Sequence, residues 1–184
     1  VPAPTLQSPI VLVTDGACSA NGREGARGGW AAILTDRSGT EVVLTGGEAP
    51  STNNRMELMA ALEGLAAAPE GSEVELVTDS TYIANAIGQG WLQGWRRRGW
   101  RTAAKQPVAN RELWERMLTE LARHRRVTPV LVKGHAGHGA NERADRLAQA
   151  AARERDLPPP PPGGGAPAGP AAGPDEQLGF SLFD

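Results

Sequence analysis

Ile10-Val11-Leu12-Val13-Thr14-Asp15-Gly16 is the stretch from which the fold can be read. Its four apolar residues, mostly β-branched, make a strand that should be buried, and Thr14-Asp15-Gly16 reads as the turn that ends it. Working outward, Trp30 to Leu34 and Glu41 to Leu44 are two further strands, joined by the turn-like Asp36-Arg37-Ser38-Gly39. Three strands with short links predict an antiparallel meander. Met56, Met59, Ala60, Leu62 and Leu65 then take helical spacing, with Thr52-Asn53-Asn54 as caps in front of them. Glu73 to Thr78 is a fourth strand, and Asp79-Ser80 starts a short helix after it. Leu113, Met117, Leu118 and Leu121 mark a helix from about Asn110 to Arg125, Val127 to Val132 a fifth strand, and Asn141 to Arg155 a last amphipathic helix. The expected class is α/β: a five-stranded mixed β-sheet flanked by α-helices.

Proline placement marks the expected boundaries. Pro2, Pro4 and Pro9 predict a flexible start over 1–8, followed by one folded domain over 9–156. Every residue from Pro158 to Pro174 is Pro, Gly or Ala, so 157–174 is read as a disordered linker with a stiff front. Leu and Phe return in the last ten residues, 175–184.

The chain of 184 residues carries 19 basic and 21 acidic side chains, a net charge of −2. The balance hides a local excess. No acid lies between Asp79 and Glu112, where Arg96, Arg97, Arg98, Arg101, Lys105 and Arg111 stand, and this points to an anionic partner at one face. A single cysteine, Cys18, excludes an internal disulfide framework and fits a reducing compartment. No apolar run approaches the roughly 20 residues of a membrane span, and the first residues lack the features of a secretory signal. A soluble cytoplasmic protein that does not enter membranes is expected.

Four acids stand at the ends of elements. Asp15 and Asp79 follow apolar runs, and ligands of open α/β sheets bind outside the carboxyl ends of the strands. Glu57 falls in the first turns of its helix, and Asp145 on the last helix after a Gly-rich turn. If the four converge, each raises the cost of ionising the others, and cations make such a cluster tolerable. An oxygen set with no Cys or His cluster suits Mg²⁺ or Mn²⁺ over zinc. Each acid also has a plain structural reading. Asp79 could cap a helix, Glu57 could complete a capping box with Asn54, Asp15 could be a turn residue, and Asp145 could pair with Arg143 or Arg146.

Six segments bear on that choice: TDGACSANG (14–22), GGWAAIL (28–34), TNNRMELMAALEGL (52–65), VTDSTYI (77–83), GWRRRGWRTA (94–103) and VKGHAGHGANERAD (132–145). In this order they resemble bacterial ribonuclease HI, and they span essentially all of 9–156. The resemblance implies hydrolysis of the RNA strand of RNA–DNA hybrids, leaving 5′-phosphate and 3′-hydroxyl ends, in primer and R-loop removal during replication and repair. It places Asp15, Glu57, Asp79 and Asp145 as metal-binding acids for two Mg²⁺ ions, with Mn²⁺ as a substitute, and His135 as the catalytic histidine, with a role in proton transfer or product release. His138 and His124 are read as structural.

The same resemblance places Gly16, Cys18, Asn21, Asn53 and Asn54 where the 2′-hydroxyl of RNA is tested, and Thr52 and Asn110 where a DNA phosphate is gripped. Trp91, Trp95 and Trp100, alternating with Arg96, Arg97, Arg98, Arg101 and Lys105, match the family's basic protrusion. There the tryptophans would supply packed support or a sugar-stacking face, and the cations would meet phosphates. Gly139-Ala140 departs from the family's Pro-Glu, and Thr81 from a common Gln. A monomer is implied. Two alternatives share these residues: another nuclease or strand-transfer protein of the same superfold, or a non-catalytic hybrid-binding module.

The end of the chain suggests a separate partner. Gln177, Leu178, Phe180, Leu182 and Phe183 resemble the short peptide by which bacterial replication and repair proteins dock on the sliding clamp. The tether ahead of them would span on the order of 25 Å as a flexible coil. The plain reading is that these residues fold back on the domain or dangle.

Overall fold

The apolar run at Ile10, buried except for Val11, becomes the central strand, β1 (Ile10–Ser19), of a five-stranded mixed sheet. On one side lie β2 (Arg27–Asp36) and then β3 (Glu41–Glu48), both antiparallel to their neighbours. On the other lie β4 (Glu73–Thr78) and then β5 (Arg126–Leu131), both parallel. The order is β3-β2-β1-β4-β5. The structure, a computed structural model, describes residues 5–19, 25–133 and 139–154. Pro129 sits on the edge strand β5, where a missing N–H is tolerated.

Helices cover both faces. α1 (Asn53–Ala67) lies on β1 and β2, and its Met56, Leu58, Leu62 and Leu65 are fully buried. It is apolar nearly all round because α4 (Arg111–Arg123) packs behind it. α2 (Thr81–Gly88) and α3 (Trp91–Arg97) join the same core through Ile83, Leu92 and Trp95. α5 (Gly139–Arg153) lies across β1 and β2, and Ala144 at its start packs with Val13 and Ile33 in a second, smaller core.

Two glycines set the layer spacing. A Cβ on Gly16 would stand 2.2 Å from the backbone nitrogen of Glu57, and one on Gly29 would stand 2.2 Å from the carbonyl oxygen of Ala148. Both obstacles are helix backbone, which cannot swing aside. Alternation along the sheet therefore seats α1 directly on β1 and α5 directly on β2.

Three expectations are revised. The first strand does not end in a turn at Asp15: pairing with β2 carries β1 on to Ser19, opposite Arg27. The ordered chain begins before residue 9. Leu6 is buried in the main core, the Gln7 N–H donates to Asp36, and the Ser8 hydroxyl accepts from the Glu73 N–H. The basic segment contains a helix, α3, which periodicity did not reveal among its arginines. The turn at Asp36 is as expected, its carboxylate collecting the N–H groups of Ser38 and Thr40. The linker over 157–174 and the peptide over 175–184 lie outside the described residues.

Gly16→Ala is expected to destabilise the fold by about 2–3 kcal/mol through overpacking. Gly139→Ala, whose Cβ would meet nothing within 4 Å, is its control. Urea unfolding midpoints of the two variants check this, and equal midpoints would refute the close approach.

Candidate active site

Asp15, Glu57, Asp79 and Asp145 line one cleft of about 180 Å³, together with Gly16, Asn141 and Glu142. β1, α1, the link that follows β4 and α5 deliver the four acids. The parallel register of β1 with β4 ends at Val13 and Val77, and Asp15 and Asp79 each lie two residues beyond that pair. Val13 and Val77 pack against Ala144 and Leu147 of α5, so Asp15 emerges on the face that α5 covers, beside Asp145. Glu57 arrives from the opposite layer, where the bare backbone of Gly16 admits α1.

The plain readings of the acids are not met. Thr52 caps α1, its hydroxyl accepting from the Arg55 N–H at 3.3 Å, which leaves Glu57 two residues past the capping-box position. Ser80 caps α2 and frees Asp79 from that duty. Arg143 pairs with Glu41 instead of Asp145. Asp15 is no turn residue; its Oδ1 accepts from the Gly16 N–H at 2.8 Å within the strand.

Crowding and burial show in the acid strengths. Burial, then the charge of Asp79, with smaller contributions from Asp145 and Glu57, push Asp15 up to about 7 against the pull of the Gly16 N–H. Burial likewise pushes Glu57 up to about 7, opposed by a hydrogen bond from Ser80 and reinforced by Asp79. The donor set is all oxygen. Among the described residues no three acids, histidines or cysteines close into a ready-made cage, and the carbonyl oxygen of Asn141, in a side chain 5% exposed, has no hydrogen-bond partner. An all-oxygen donor set with a free amide carbonyl fits a hard divalent cation such as Mg²⁺. Glu142 and Asn141 were not singled out from the sequence.

Gly16 lines the cleft, and Cys18, Thr52, Asn53, Asn54 and Asn110 are, like it, partly exposed. Cys18 turns its thiol to the Ser51 carbonyl at 3.3 Å, and burial pushes its pKa up, so it is no reactive thiolate. Asn110 adopts a left-handed conformation, φ 54°, and its Oδ1 accepts from Arg55 at 3.2 Å. Arg55, which sequence reasoning passed over, is buried and joins Glu48, Asn110 and Glu112. Burial works against its charge, but the hydrogen bonds to Glu112 and Glu48 outweigh this and hold its pKa above the usual value.

The basic segment divides into two kinds of residue. Trp95 and Trp100 are 4% and 8% exposed, packed in the main core, and this corrects their expected contact with nucleic acid to support of the segment. Trp91 is partly exposed. Arg98 Nε donates to the Arg101 carbonyl at 3.2 Å and Arg101 Nη1 to the Lys105 carbonyl at 2.9 Å, so both commit donors to their own loop. Arg96, Arg97 and Lys105 point into solvent. His124 is structural, its Nε2 lying 2.9 Å from the Leu65 carbonyl in a buried position. Asn21, His135 and His138 lie outside the described residues.

An acid-lined cleft beyond the ends of parallel strands, in a mixed sheet of order β3-β2-β1-β4-β5, defines an α/β protein with an oxygen-rich candidate site for cations. Comparison makes the class specific. The RNase H family model matches residues 7–153. The chain is 52% identical over 152 residues to "Ribonuclease H" of Thermus thermophilus, covering 83% of this chain and 89% of that one. With "Ribonuclease H" of Brucella ovis it shares 55% identity over 141 residues, 77% and 88% of the two chains. LC9-RNase H1, a type 1 RNase H with the type 2 active-site motif, superposes with a TM-score of 0.68 at 31% identity, over 81% of this chain and 74% of that one. A foamy viral protease-reverse transcriptase in complex with RNA/DNA hybrid shares the fold, with a TM-score of 0.70 at 20% identity over 82% of this chain and 21% of that one. The chain belongs to the ribonuclease H family and is an endoribonuclease. That family uses divalent metal ions.

The raised carboxyls give a pH signature. The unfolded chain releases these protons near pH 4, whereas Asp15 and Glu57 hold theirs to about 7. The folded state therefore binds more protons between these values, and stability falls as pH rises from about 4 to about 7. In chelator, the melting temperature is expected to fall across this window, and Asp15→Asn to flatten the fall. Thermal melts between pH 5 and 8 check this; parallel curves for the two proteins would refute it.

Proposed function

We propose that the chain hydrolyses the RNA strand of RNA–DNA hybrids, with two Mg²⁺ or Mn²⁺ ions held between Asp15, Glu57, Asp79 and Asp145, and leaves 5′-phosphate and 3′-hydroxyl ends. The observation that carries this reading is the convergence of those four acids, from four separate segments of the chain, on one cleft. Membership of the ribonuclease H family supports the hybrid as substrate.

Each residue's part follows from its place. Asp15 is the central ligand, because it feels the charge of all three other acids. The Gly16 N–H orients its carboxylate, and Ser80 does the same for Glu57. Glu57 and Asp79 would hold one divalent ion and Asp145 the other. What divalent ions supply in such a site is a more acidic water and neutralisation of charge on the scissile phosphate and the departing oxygen. His135 receives its assignment, proton transfer or product release, from the resemblance. Gly16, Cys18, Asn21, Asn53 and Asn54 present small polar groups to the 2′-hydroxyl of the RNA strand. Thr52 and Asn110 take a phosphate of the DNA strand, and Arg96, Arg97 and Lys105 take more distant phosphates.

Cleavage of a labelled hybrid in Mg²⁺, with duplex DNA of the same sequence left intact, tests the substrate. Asp15→Asn and Asp79→Asn are expected to lose at least a hundredfold in turnover, about 3 kcal/mol of barrier, while still binding hybrid. Near-normal turnover in either would overturn the metal assignment.

A double Arg96→Ala, Arg97→Ala variant is expected to weaken hybrid binding and to lower the salt slope by roughly 0.7–0.9 for each phosphate no longer neutralised, with turnover at saturation unchanged. Arg98 is excluded from the variant because its side chain braces the loop. Binding isotherms between 50 and 200 mM salt check this, and an unchanged slope would mean that the two arginines form a solvated face.

A further inference from the structure

α5 carries more than a ligand. Along one side of it Asp145, Gln149 and the exposed Arg153 follow one another at intervals of four residues, about one helical turn apart. Arg153 Nη2 donates to Gln149 Oε1 at 3.4 Å, and Gln149 Nε2 donates to Asp145 Oδ1 at 2.7 Å. The order is chemically directed. A guanidinium can only donate, so it takes the oxygen end of the Gln149 amide and turns the NH₂ end toward the carboxylate. Asp145 and Gln149 are both partly buried against the sheet, where such a bond is less open to exchange with water. The neighbouring pair Arg143–Glu41 ties the same helix to β3 and leaves Asp145 without an arginine of its own.

We propose that Gln149 is a positioning residue for Asp145, occupying one carboxylate oxygen so that only the other is offered to a divalent cation. This rests on the reading of Asp145 as a metal ligand and deepens it. A carboxylate with one oxygen already accepting a hydrogen bond favours binding through the other oxygen, which suits the small octahedral Mg²⁺. A carboxylate with both oxygens free can also bind through both, which suits the larger Ca²⁺. Gln149 therefore acts on ion selectivity as well as on affinity. Residues that hold a ligand from behind are typically worth 10–100-fold in metal affinity.

The test is titration of the full chain, free of nucleic acid, with Mg²⁺ and separately with Ca²⁺ by calorimetry. Wild type is compared with Gln149→Leu, Arg153→Ala and Asp145→Asn. Gln149→Leu is expected to weaken Mg²⁺ about tenfold and to raise the ratio of Ca²⁺ to Mg²⁺ affinity. Arg153→Ala should shift the ratio in the same direction by less, since the amide remains but is no longer oriented. In hydrolysis, Gln149→Leu should need more Mg²⁺ for half-maximal rate, with KM for hybrid unchanged. A Gln149→Leu protein with wild-type affinities for both ions would overturn the proposal, whatever its melting temperature. Loss of affinity for both ions by the same factor would also overturn it, because selectivity would then not depend on the amide. Asp145→Asn separates the two levels: if it leaves Mg²⁺ binding intact, the reading of Asp145 itself fails.

Discussion

The separation between backbone layers at Gly16 is the constraint on which the rest depends. With no side chain there, the turn of α1 that bears Glu57 comes down on β1 one residue beyond Asp15. With no side chain at Gly29, α5 comes down on β2 from the opposite face and brings Asp145. The sheet is thus squeezed from both sides around the residues that leave its parallel edge. A side chain at either glycine would keep the fold recognisable and push an acid out of the cleft.

That squeeze has an electrostatic cost. Burial, more than mutual repulsion, lifts Asp15, and the same is true of Glu57. Hydrogen bonds from the Gly16 N–H and from Ser80 oppose the lift without cancelling it. The cleft thus gives up stability for affinity: the free energy that keeps these carboxyls partly protonated near neutrality is recovered when positive charge arrives.

Much of this was legible in the sequence, for reasons that differ by element. Strand nuclei, the turn at Asp36 and the α1 cap are local, and local chemistry settles them. The four acids stood out because element ends and family motifs pointed to the same positions. The full length of β1 was hidden because Asp15-Gly16 has the composition of a turn, and only pairing with Arg27 to Ala31 keeps it extended. α3 was hidden among arginines whose apolar partners, Leu92 and Trp95, are too few to show a period. Trp95 and Trp100 could serve as support or as contact, and burial decides for support. Arg55 was invisible for another reason: Asn110 and Glu112 lie 55 and 57 residues away, and no local pattern announces such a pairing.

Arg55 also governs how the molecule comes apart. One guanidinium fastens the last residue of β3, the first turn of α1 and the start of α4 through Glu48, Asn110 and Glu112. A buried charge cannot be released by one partner at a time without leaving the others exposed to its field, and a broken pair of this kind is far costlier than an exposed one. The three segments are therefore expected to open to solvent as one unit, which would link Thr52, Asn53 and Asn54 to Asn110 from the other half of the chain.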